Sequence, residues 1–385
     1  INWPNLIKGI VDGYTNNGAS ITHATQKDGI QNSVDAFDPL KPDEHHIKIS
    51  LVMDSGSNLL IFEDFGTFGL TGRVLGDEDM KRDLPVEERW GRFENLAFTK
   101  DTEEKTLGAR GQGKFMLLAA SDKMKFSEKG TEVDTNDRPF MLYDTLRADG
   151  VYRLGLRTVE TTRSPIHYWE GEEARQQLKT QTDGILEPID HVGTRVIIPD
   201  VRKEIVRAIK DDKYSDMIST TWFPLLRDNP LMISIVYGEK GKIVMPDKRL
   251  LEIPSKDTSE IKVWKSKKAL TFNKTKYGLK LHIAALSYES EIASEEIRHV
   301  GIYRSGMRVM SLKNKHIPPE IMDRIYGYVE VDDKVEKALR VVEDPTHYKF
   351  DLSKGLPKKL ASHIENELMA FAKKKLGLHQ NEEDR

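Results

Sequence analysis

The sequence predicts a mixed α/β protein with two domains, on three observations. Apolar residues at helical spacing alternate along the chain with short runs typical of strands. The length of 385 residues is more than twice the roughly 150 residues of a typical domain. Apolar residues at 38% and charged residues at 31% are ordinary globular usage, which excludes a disordered or fibrous chain.

The first fifth of the chain predicts a helix followed by a β-hairpin. Apolar residues recur at helical spacing within residues 26–37. Residues 46–53 and 58–64 predict two strands, and the sequence Asp-Ser-Gly-Ser between them is typical of a hairpin turn. The second strand therefore ends at Asp64.

The rest of the chain predicts a lid, a second domain and a tail. Residues 70–114 are charged and punctuated by glycine, as is typical of a mobile lid. We expect a first domain over residues 1–204 and a second α/β domain over 205–355. An amphipathic helix and tail complete the chain over 356–385.

Charge and composition exclude several classes of function. The formal net charge of −3 gives no global reason to bind nucleic acid, so any such site would have to be local. The absence of cysteine excludes disulfides, thiolate metal sites and cysteine nucleophiles, and it fits a cytoplasmic protein. The longest apolar run, residues 115–120, is far short of the roughly 18 residues that span a bilayer. We expect a cytoplasmic protein without a membrane span.

Asp28 and Asn32 are candidates for catalysis and metal binding. They lie four residues apart in the predicted helix, hence on one face, with Asp35 further along. A carboxylate can orient or deprotonate a water molecule, and an amide oxygen can bind a hard cation such as Mg²⁺. For an isolated Asp/Asn pair, a solvated polar face is the more common explanation.

Asp64 and Thr194 are candidates for binding a nucleobase. Asp64 ends a strand and is followed by Gly66 and Gly69, so its carboxylate could face a cleft lined by bare backbone and accept from an exocyclic amine. Thr194 follows Gly193 at the start of another strand, where its hydroxyl could bond a ring nitrogen. Taken singly, an Asp that starts a turn and a Thr that favours a strand are commoner.

A glycine segment precedes the apolar run that begins at Phe115. Glycines at positions 108, 111 and 113 would let backbone N–H groups approach phosphate oxygens, and Lys114 adds positive charge. The segment lacks the Lys-Ser/Thr ending of the Walker loop. On its own, it is better explained as a flexible turn that caps a buried helix.

Together and in this order, the four segments resemble the motifs of the GHKL ATPases. The motifs are Asn-x-x-Asp-Ala at residues 32–36, Asp-x-Gly-x-x-Gly at 64–69, Gly-x-x-Gly-x-Gly-Lys-Phe at 108–115 and Gly-Thr at 193–194. This superfamily includes DNA gyrase, the ninety-kilodalton heat-shock chaperones, histidine kinases, MutL and the MORC proteins. The resemblance implies a Bergerat fold, an α/β sandwich that binds ATP between a helical layer and a mobile lid.

The resemblance also implies a role for each motif. Asn32 would bind Mg²⁺, Asp64 would accept from the adenine amine, Thr194 would support adenine and Lys114 would help to hold the phosphates. The general base of the family is usually a Glu four residues before the Asn, and the shorter Asp28 stands there in this sequence. The residues expected to bind ATP are Asn32, Asp35, Ala36, Asp64, Gly66, Gly69, Leu70, Gly108, Arg110, Gly111, Gln112, Gly113, Lys114, Phe115 and Thr194.

The second half resembles the ribosomal-S5-like transducer domain of the heat-shock chaperones, beginning with Gly-Ile-Tyr-Arg at residues 301–304. In that family a basic residue of the transducer contacts the γ-phosphate. By position, we expect Arg340 to be this catalytic residue. A surface pair with Glu336 on one helix face explains Arg340 equally well. The competing basic residues are Arg304, Arg308, Lys313 and Lys315.

These implications predict slow, Mg²⁺-dependent ATP hydrolysis in which Asp28 orients the water, with lid closure and ATP-dependent formation of a homodimer. We expect the ATPase module of a DNA-associated clamp of the MutL or MORC type, in genome maintenance or anti-phage defence, acting on DNA or on a partner protein. One alternative is a protein-remodelling chaperone of the heat-shock type. Another is a scaffold that binds nucleotide without hydrolysing it.

Overall fold

The structure is a computed structural model, and it describes residues 3–54, 56–74, 84–94, 113–127, 130–133, 141–158, 167–230, 232–288 and 291–378. These residues form two compact units. The first unit draws on Ile1–Ser215 and Leu231–Val244, and the second on Asp216–Pro230 and Met245–Arg385. Both units contain helices and a largely antiparallel sheet, so the predicted mixed α/β class is confirmed as α+β.

The first unit is built on one eight-stranded sheet. The strands of this unit are β1 (His46–Asp54), β2 (Ser57–Phe65), β3 (Met124–Ser127), β4 (Gly130–Val133), β5 (Met141–Leu146), β6 (Tyr152–Arg157), β7 (His167–Glu170), β8 (Gly193–Pro199), β9 (Ile233–Tyr237) and β10 (Lys240–Ile243). The order in the sheet is β10-β9-β1-β2-β8-β5-β6-β7, and β3 pairs with β4 separately. Every neighbouring pair in the large sheet is antiparallel except β1 and β9.

The predicted hairpin is present, because β1 and β2 pair from His46 opposite Phe65 to Asp54 opposite Ser57. The boundary between the units differs from the prediction. The first unit continues past residue 204 to Ser215, and Leu231–Val244 returns to it. The return follows from the parallel pairing of β9 with β1, and a partner so distant in sequence leaves no local pattern.

The helices of the first unit pack on both faces of this sheet. They are α1 (Trp3–Asn16), α2 (Ile21–Ala36), α3 (Arg89–Glu94), α4 (Gly113–Ala119), α5 (Gly171–Gln181), α6 (Lys203–Lys210) and α7 (Lys213–Thr221), the last of which continues into the second unit. The Ser20 side chain caps α2 by accepting from the N–H of His23. Because Gly29 lies against the Phe62 ring, α2 packs directly on β2, and α4 packs on α2. On the opposite face, α5 joins a core cluster with Leu59 and Ile61.

The second unit is built on a five-stranded sheet. Its strands are β11 (Ile261–Ser266), β12 (Leu270–Phe272), β13 (Thr275–Tyr277), β14 (Leu279–Leu286), β15 (His299–Arg304), β16 (Met307–Leu312) and β17 (Ile325–Val331). The sheet order is β11-β14-β17-β15-β16, and β12 pairs with β13 separately. The helices are α8 (Phe223–Asp228), α9 (Lys248–Leu251), α10 (Pro319–Met322), α11 (Asp333–Val341) and α12 (Gly355–Lys375).

The predicted C-terminal helix is α12, and it belongs to the second unit of the same chain. It packs against α11, β11, β12 and β16. The Trp264 indole donates to Glu367 on α12 at 2.8 Å, and Phe371 packs beside the same ring. Across the described part of the chain, no helix combines the length and the hydropathy of a membrane-spanning segment.

The packing of α2 on β2 makes a test of the fold. Gly29→Ala is expected to destabilise the protein although alanine is the better helix former, because the added Cβ would lie 2.5 Å from Cε1 of Phe62. Overpacking of this kind costs about 1–3 kcal/mol, against about 1 kcal/mol from helix propensity. The matched control is Gly9→Ala in α1, where an added Cβ meets no described atom within 4 Å and should stabilise the protein. Urea unfolding measures both, and a gain of stability in Gly29→Ala would contradict this packing.

Candidate functional site

A buried carboxylate lies where β2 meets β8. Asp64 is the next-to-last residue of β2, and only 5% of its surface is exposed. Its Oδ1 accepts hydrogen bonds from the Thr67 hydroxyl at 2.7 Å and from the Thr194 backbone N–H at 2.9 Å. Among the described residues, both hydrogen bonds of this carboxylate go to Oδ1. The second oxygen, Oδ2, is therefore the one that a ligand's amine would meet.

Burial controls the protonation of this carboxylate. It raises the pKa of Asp64 to about 7, although the hydrogen bonds from Thr67 and Thr194 act in the opposite direction. The neighbouring charge of Glu63 adds to the rise. A ligand amine that donated to Oδ2 would favour the ionised form. Ligand binding and deprotonation of Asp64 are therefore expected to reinforce each other.

The loop after β2 closes over the end of β5. Gly69 has a φ of +68°, and an added Cβ would lie 2.7 Å from the Leu146 carbonyl oxygen and 2.8 Å from Thr145 Oγ1. The Thr145 hydroxyl donates to the Gly193 carbonyl at 2.7 Å and accepts from the Leu70 N–H at 2.8 Å. Glycine is thus required at position 69 both by its backbone conformation and by the close approach to β5.

The helix α2 brings the first predicted motif to the same face of the sheet. Gly29 packs on Phe62, and Phe62 and Asp64 lie two residues apart on β2, so their side chains point to one face. Asp28 is 3% exposed, whereas Asn32 is half-buried one turn further on. The helix that carries the first predicted motif therefore lies on the face of the sheet to which Asp64 of the second motif points.

The start of α4 lies directly against Asp28. A Cβ added to Gly113 would be 3.0 Å from the Asp28 carboxylate carbon and 3.1 Å from its Oδ1. A larger residue at position 113 would therefore require the Asp28 side chain to shift by a few tenths of an ångström. Gly113, which belongs to the predicted phosphate-binding segment, therefore lies beside Asp28, the predicted catalytic carboxylate.

Lys114 is buried rather than open to solvent. Only 4% of it is exposed, and its Nζ donates to the carbonyl oxygens of Phe93 and Glu94, at 2.8 and 2.7 Å. These carbonyls end α3, where a positive charge is favoured. Burial lowers the pKa of Lys114 well below its usual value, and the nearby charge of Arg157 lowers it further. The predicted phosphate-binding lysine is therefore held by the end of a short helix within the predicted lid.

Glu94, Tyr143 and Arg157 complete this buried cluster, and the sequence analysis missed all three. The Tyr143 hydroxyl donates to Glu94 Oε1 at 2.7 Å, and Arg157 Nη2 donates to the Glu94 carbonyl at 3.1 Å. Burial raises the pKa of Glu94, while Tyr143, Arg157 and Lys114 oppose the rise. Residues this far apart in sequence leave no local pattern that could have identified the cluster.

The remaining predicted nucleotide ligands divide into two groups. Gly108, Arg110, Gly111 and Gln112 lie outside the described residues. Of the others, Asp35 and Ala36 are half-buried at the end of α2, Gly66 has a φ of +70°, and Phe115 is fully buried in the core. Phe115 therefore serves packing in this structure.

The predicted catalytic Arg340 lies in α11 of the second unit and is half-buried. The Glu336 carboxylate, its suggested partner, accepts from the Ser305 hydroxyl at 2.9 Å. Of the competing residues, Arg304 is buried in an ion pair with Glu343, and Arg308 donates to the Arg298 carbonyl. Lys313 and Lys315 are exposed.

A scan of the sequence against protein-family models finds no match, and a search of curated proteins finds none either.

The raised pKa of Asp64 predicts a pH-dependent stability. In the folded state the group holds its proton up to about pH 7, but in the unfolded state only to about 3.8. The stabilisation from this proton is complete below the unfolded pKa and is lost as the pH rises through about 7. Between pH 5 and pH 8 the wild type should lose about 3 kcal/mol relative to Asp64→Asn. Urea unfolding at both values measures this, with the exposed Asp190→Asn as control; an unchanged difference would contradict the buried environment of Asp64.

Proposed function

We propose that this chain is a Mg²⁺-dependent ATP-binding protein that hydrolyses ATP slowly, with a nucleotide site of the GHKL type in its first unit. The observation that carries the proposal is the buried Asp64, which accepts from the Thr194 N–H while the Gly193 backbone lies directly against it. A buried acceptor fixed in this way is suited to one neutral donor such as the amine of adenine. A carboxylate kept only for stability would be expected to face a cationic partner.

The residues around Asp64 would select adenine. Its Oδ2 would accept from the exocyclic amine, and the Thr194 hydroxyl would bond a ring nitrogen directly or through water. Guanine carries a carbonyl where adenine carries this amine, so it would place an acceptor against a carboxylate. A site built to hydrogen-bond one group rejects an analogue that lacks it, because buried polar atoms are then left unsatisfied.

Magnesium would be held mainly by the nucleotide. The described residues contain no cluster of three or more His, Asp or Glu side chains arranged to hold a metal ion. The half-buried amide of Asn32 fits this case, because Mg²⁺ commonly takes one or two protein oxygens together with phosphates and water. When bound, the ion would neutralise charge on the phosphates, and Asn32 would fix its position.

Asp28 is the residue proposed to activate water. It lies on the same helix as Asn32, one turn away, and directly beside Gly113. Its carboxylate would accept a proton from the water that attacks the γ-phosphorus, and the rigid packing against Gly113 would orient it. A basic residue would stabilise charge on the γ-phosphate.

Lys114 would couple phosphate binding to the lid. In this structure its ammonium is held by the last carbonyls of α3, and a phosphate would compete for the same charge. Transfer of Lys114 to the nucleotide would release the end of α3 and change the position of the lid. ATP-dependent lid closure and homodimer formation are proposed on this basis and on the resemblance to the GHKL ATPases.

A nucleotide-gated scaffold without hydrolysis is a second candidate, favoured by one observation. Asp28 is almost completely buried, and it is one methylene shorter than the Glu that usually stands in this position. A short, buried carboxylate has less reach toward a water near the phosphate. This candidate shares the ATP site and differs only in the chemical step.

Asp64→Asn is expected to weaken ATP binding about 10- to 100-fold, because the amide turns a donor toward the adenine amine and leaves buried groups unpaired. Isothermal calorimetry with Mg²⁺-ATP measures the affinity, and circular dichroism verifies the fold. Asp190→Asn, which removes a fully exposed carboxylate from the first unit, is the control. Unchanged affinity in Asp64→Asn would remove the basis of the proposed site.

Asp28→Asn is expected to reduce phosphate release by a factor of about 10²–10⁴ while ATP affinity changes only a few-fold, because general-base catalysis supplies an effect of this size. Phosphate release with Mg²⁺-ATP under saturating nucleotide measures the step. The matched control is Asp35→Asn, a half-buried carboxylate on the same helix. Binding without hydrolysis in the wild type would favour the scaffold, and unchanged hydrolysis in Asp28→Asn would exclude Asp28 as the base.

A further inference from the structure

The second unit contains a strongly basic β-ribbon. We call residues 265–280 the lysine ribbon. This segment contains six lysines and no acidic residue, in a chain whose formal net charge is −3. The lysines are Lys265, Lys267, Lys268, Lys274, Lys276 and Lys280. The net charge of the whole chain therefore does not reveal this local excess of positive charge.

The lysine ribbon continues the hairpin of β11 and β14 beyond the five-stranded sheet. The last pair of that hairpin is Ser266 opposite Leu281, and the chain then forms β12 and β13, with Leu270 opposite Tyr277. β12 and β13 pair with each other and not with the strands of the five-stranded sheet, so the ribbon is a separate two-stranded element. The lysines are therefore carried on a two-stranded element that ends in a tight turn.

The two faces of the ribbon differ. Leu270 is buried, and its face packs toward α12. Thr271 and Lys276 are paired on the other face, and both are exposed. The exposed face thus presents a hydroxyl and an ammonium, and the ribbon exposes no large apolar side chain.

The turn of the ribbon keeps a lysine where glycine would be favoured. Asn273 and Lys274 have φ values of 48° and 63°, as in a type I′ turn. Asn tolerates this conformation, whereas Lys is disfavoured in it. The turn therefore holds a positive charge at its tip despite a conformational cost.

Within the part of the chain that the structure describes, most of the ribbon's charge is not neutralised by an ion pair. Lys268 pairs with Glu367 at 2.8 Å and Lys280 with Glu330 at 3.3 Å. Among the described residues, no carboxylate lies within 4 Å of the other four ribbon lysines, which are Lys265, Lys267, Lys274 and Lys276.

The basic run at residues 373–375 differs in this respect. Lys375 pairs with Asp257 at 2.8 Å, and Lys374 lies over the Trp264 ring. Both side chains stabilise the packing of α12, so this run does not offer a comparable concentration of available charge.

We propose that the lysine ribbon binds duplex DNA, with the tip of the β12–β13 hairpin in the major groove and the flanking lysines on the phosphates. A two-stranded β-ribbon fits the major groove of B-form DNA, which is about 12 Å wide. The exposed threonine hydroxyl and lysine ammonium groups are donors suited to phosphate oxygens. This inference depends on the second unit alone and not on the proposed ATP site.

Other anionic partners fit the ribbon less well. A membrane surface would be bound more firmly by exposed aromatic or aliphatic anchors, which the ribbon lacks. Lysine is depleted in protein–protein interfaces relative to the rest of the surface. Duplex RNA has a deep and narrow major groove that does not admit the ribbon.

The test uses the full chain and a short fluorescein-labelled DNA duplex of random sequence, with anisotropy followed from about 50 to about 200 mM salt. The ribbon variant combines Lys267→Gln, Lys274→Gln and Lys276→Gln. The control variant combines Lys203→Gln, Lys213→Gln and Lys240→Gln, which removes three exposed lysines of the first unit and changes the net charge equally.

We expect the ribbon variant to bind DNA at least about tenfold more weakly than the wild type. Its plot of log affinity against log salt concentration should be less steep by about three, as expected for three lost phosphate contacts. The control variant should bind like the wild type. Asp64→Asn should also bind DNA, which separates this proposal from the ATP site. Equal losses in both lysine variants, or no DNA binding by the wild type, would overturn the proposal.

Lys274→Gly distinguishes a binding role of the tip from a structural one. Glycine relieves the backbone conformation of the turn, so the melting temperature should stay the same or rise, while DNA affinity falls about threefold at low salt. Retained affinity in this variant would place the tip outside the groove and overturn that part of the proposal. Equal affinity for duplex RNA, or for phosphatidylserine vesicles in place of DNA, would also overturn it.

Discussion

The burial of the Asp64 carboxylate is the constraint on which the proposed nucleotide site depends. A carboxylate removed from water must be hydrogen-bonded or it destabilises the fold. Here the bonds come from Thr67 in the following loop and from the N–H of Thr194 in β8. Thr145 of β5 then fixes the Leu70 N–H and the Gly193 carbonyl on either side. Segments far apart in sequence are therefore held in one arrangement by the need to satisfy one buried acceptor.

A second buried cluster lies next to this arrangement and has a different character. Lys114 and Arg157 both donate to the backbone carbonyl of Glu94, whose own carboxylate accepts from Tyr143. Burial and the neighbouring charge of Arg157 both disfavour a positive charge on Lys114, so holding these two basic groups together away from solvent is costly. Such a cluster is stable only while α3 stays in place, because the end of that helix supplies the carbonyls. An anion that attracted Lys114 would therefore act directly on the predicted lid.

The sequence alone was sufficient for features that depend on neighbours in the chain. The turn at residues 54–57 predicted the hairpin, and the predicted strand end at Asp64 lies one residue before the end of β2. Features that depend on distant partners could not be predicted. The return of β9 to pair with β1 moved the domain boundary, and Glu94 joined Lys114 without any motif. The helix α2 begins five residues before the predicted start at 26 because the capping signal at Ser20 precedes the periodic apolar residues.

The two proposed binding sites use opposite physical strategies, and each strategy fits its ligand. A small nucleotide is selected by a few buried and rigid groups, whose desolvation makes each hydrogen bond discriminating. A DNA backbone presents a repeating negative charge, so exposed and flexible lysines suffice, and the gain comes from released counterions. The acidic residues elsewhere in the chain keep its net charge near neutral and so limit non-specific attraction. A strong local charge in a nearly neutral protein therefore confines electrostatic binding to one element, which a uniformly basic surface could not do.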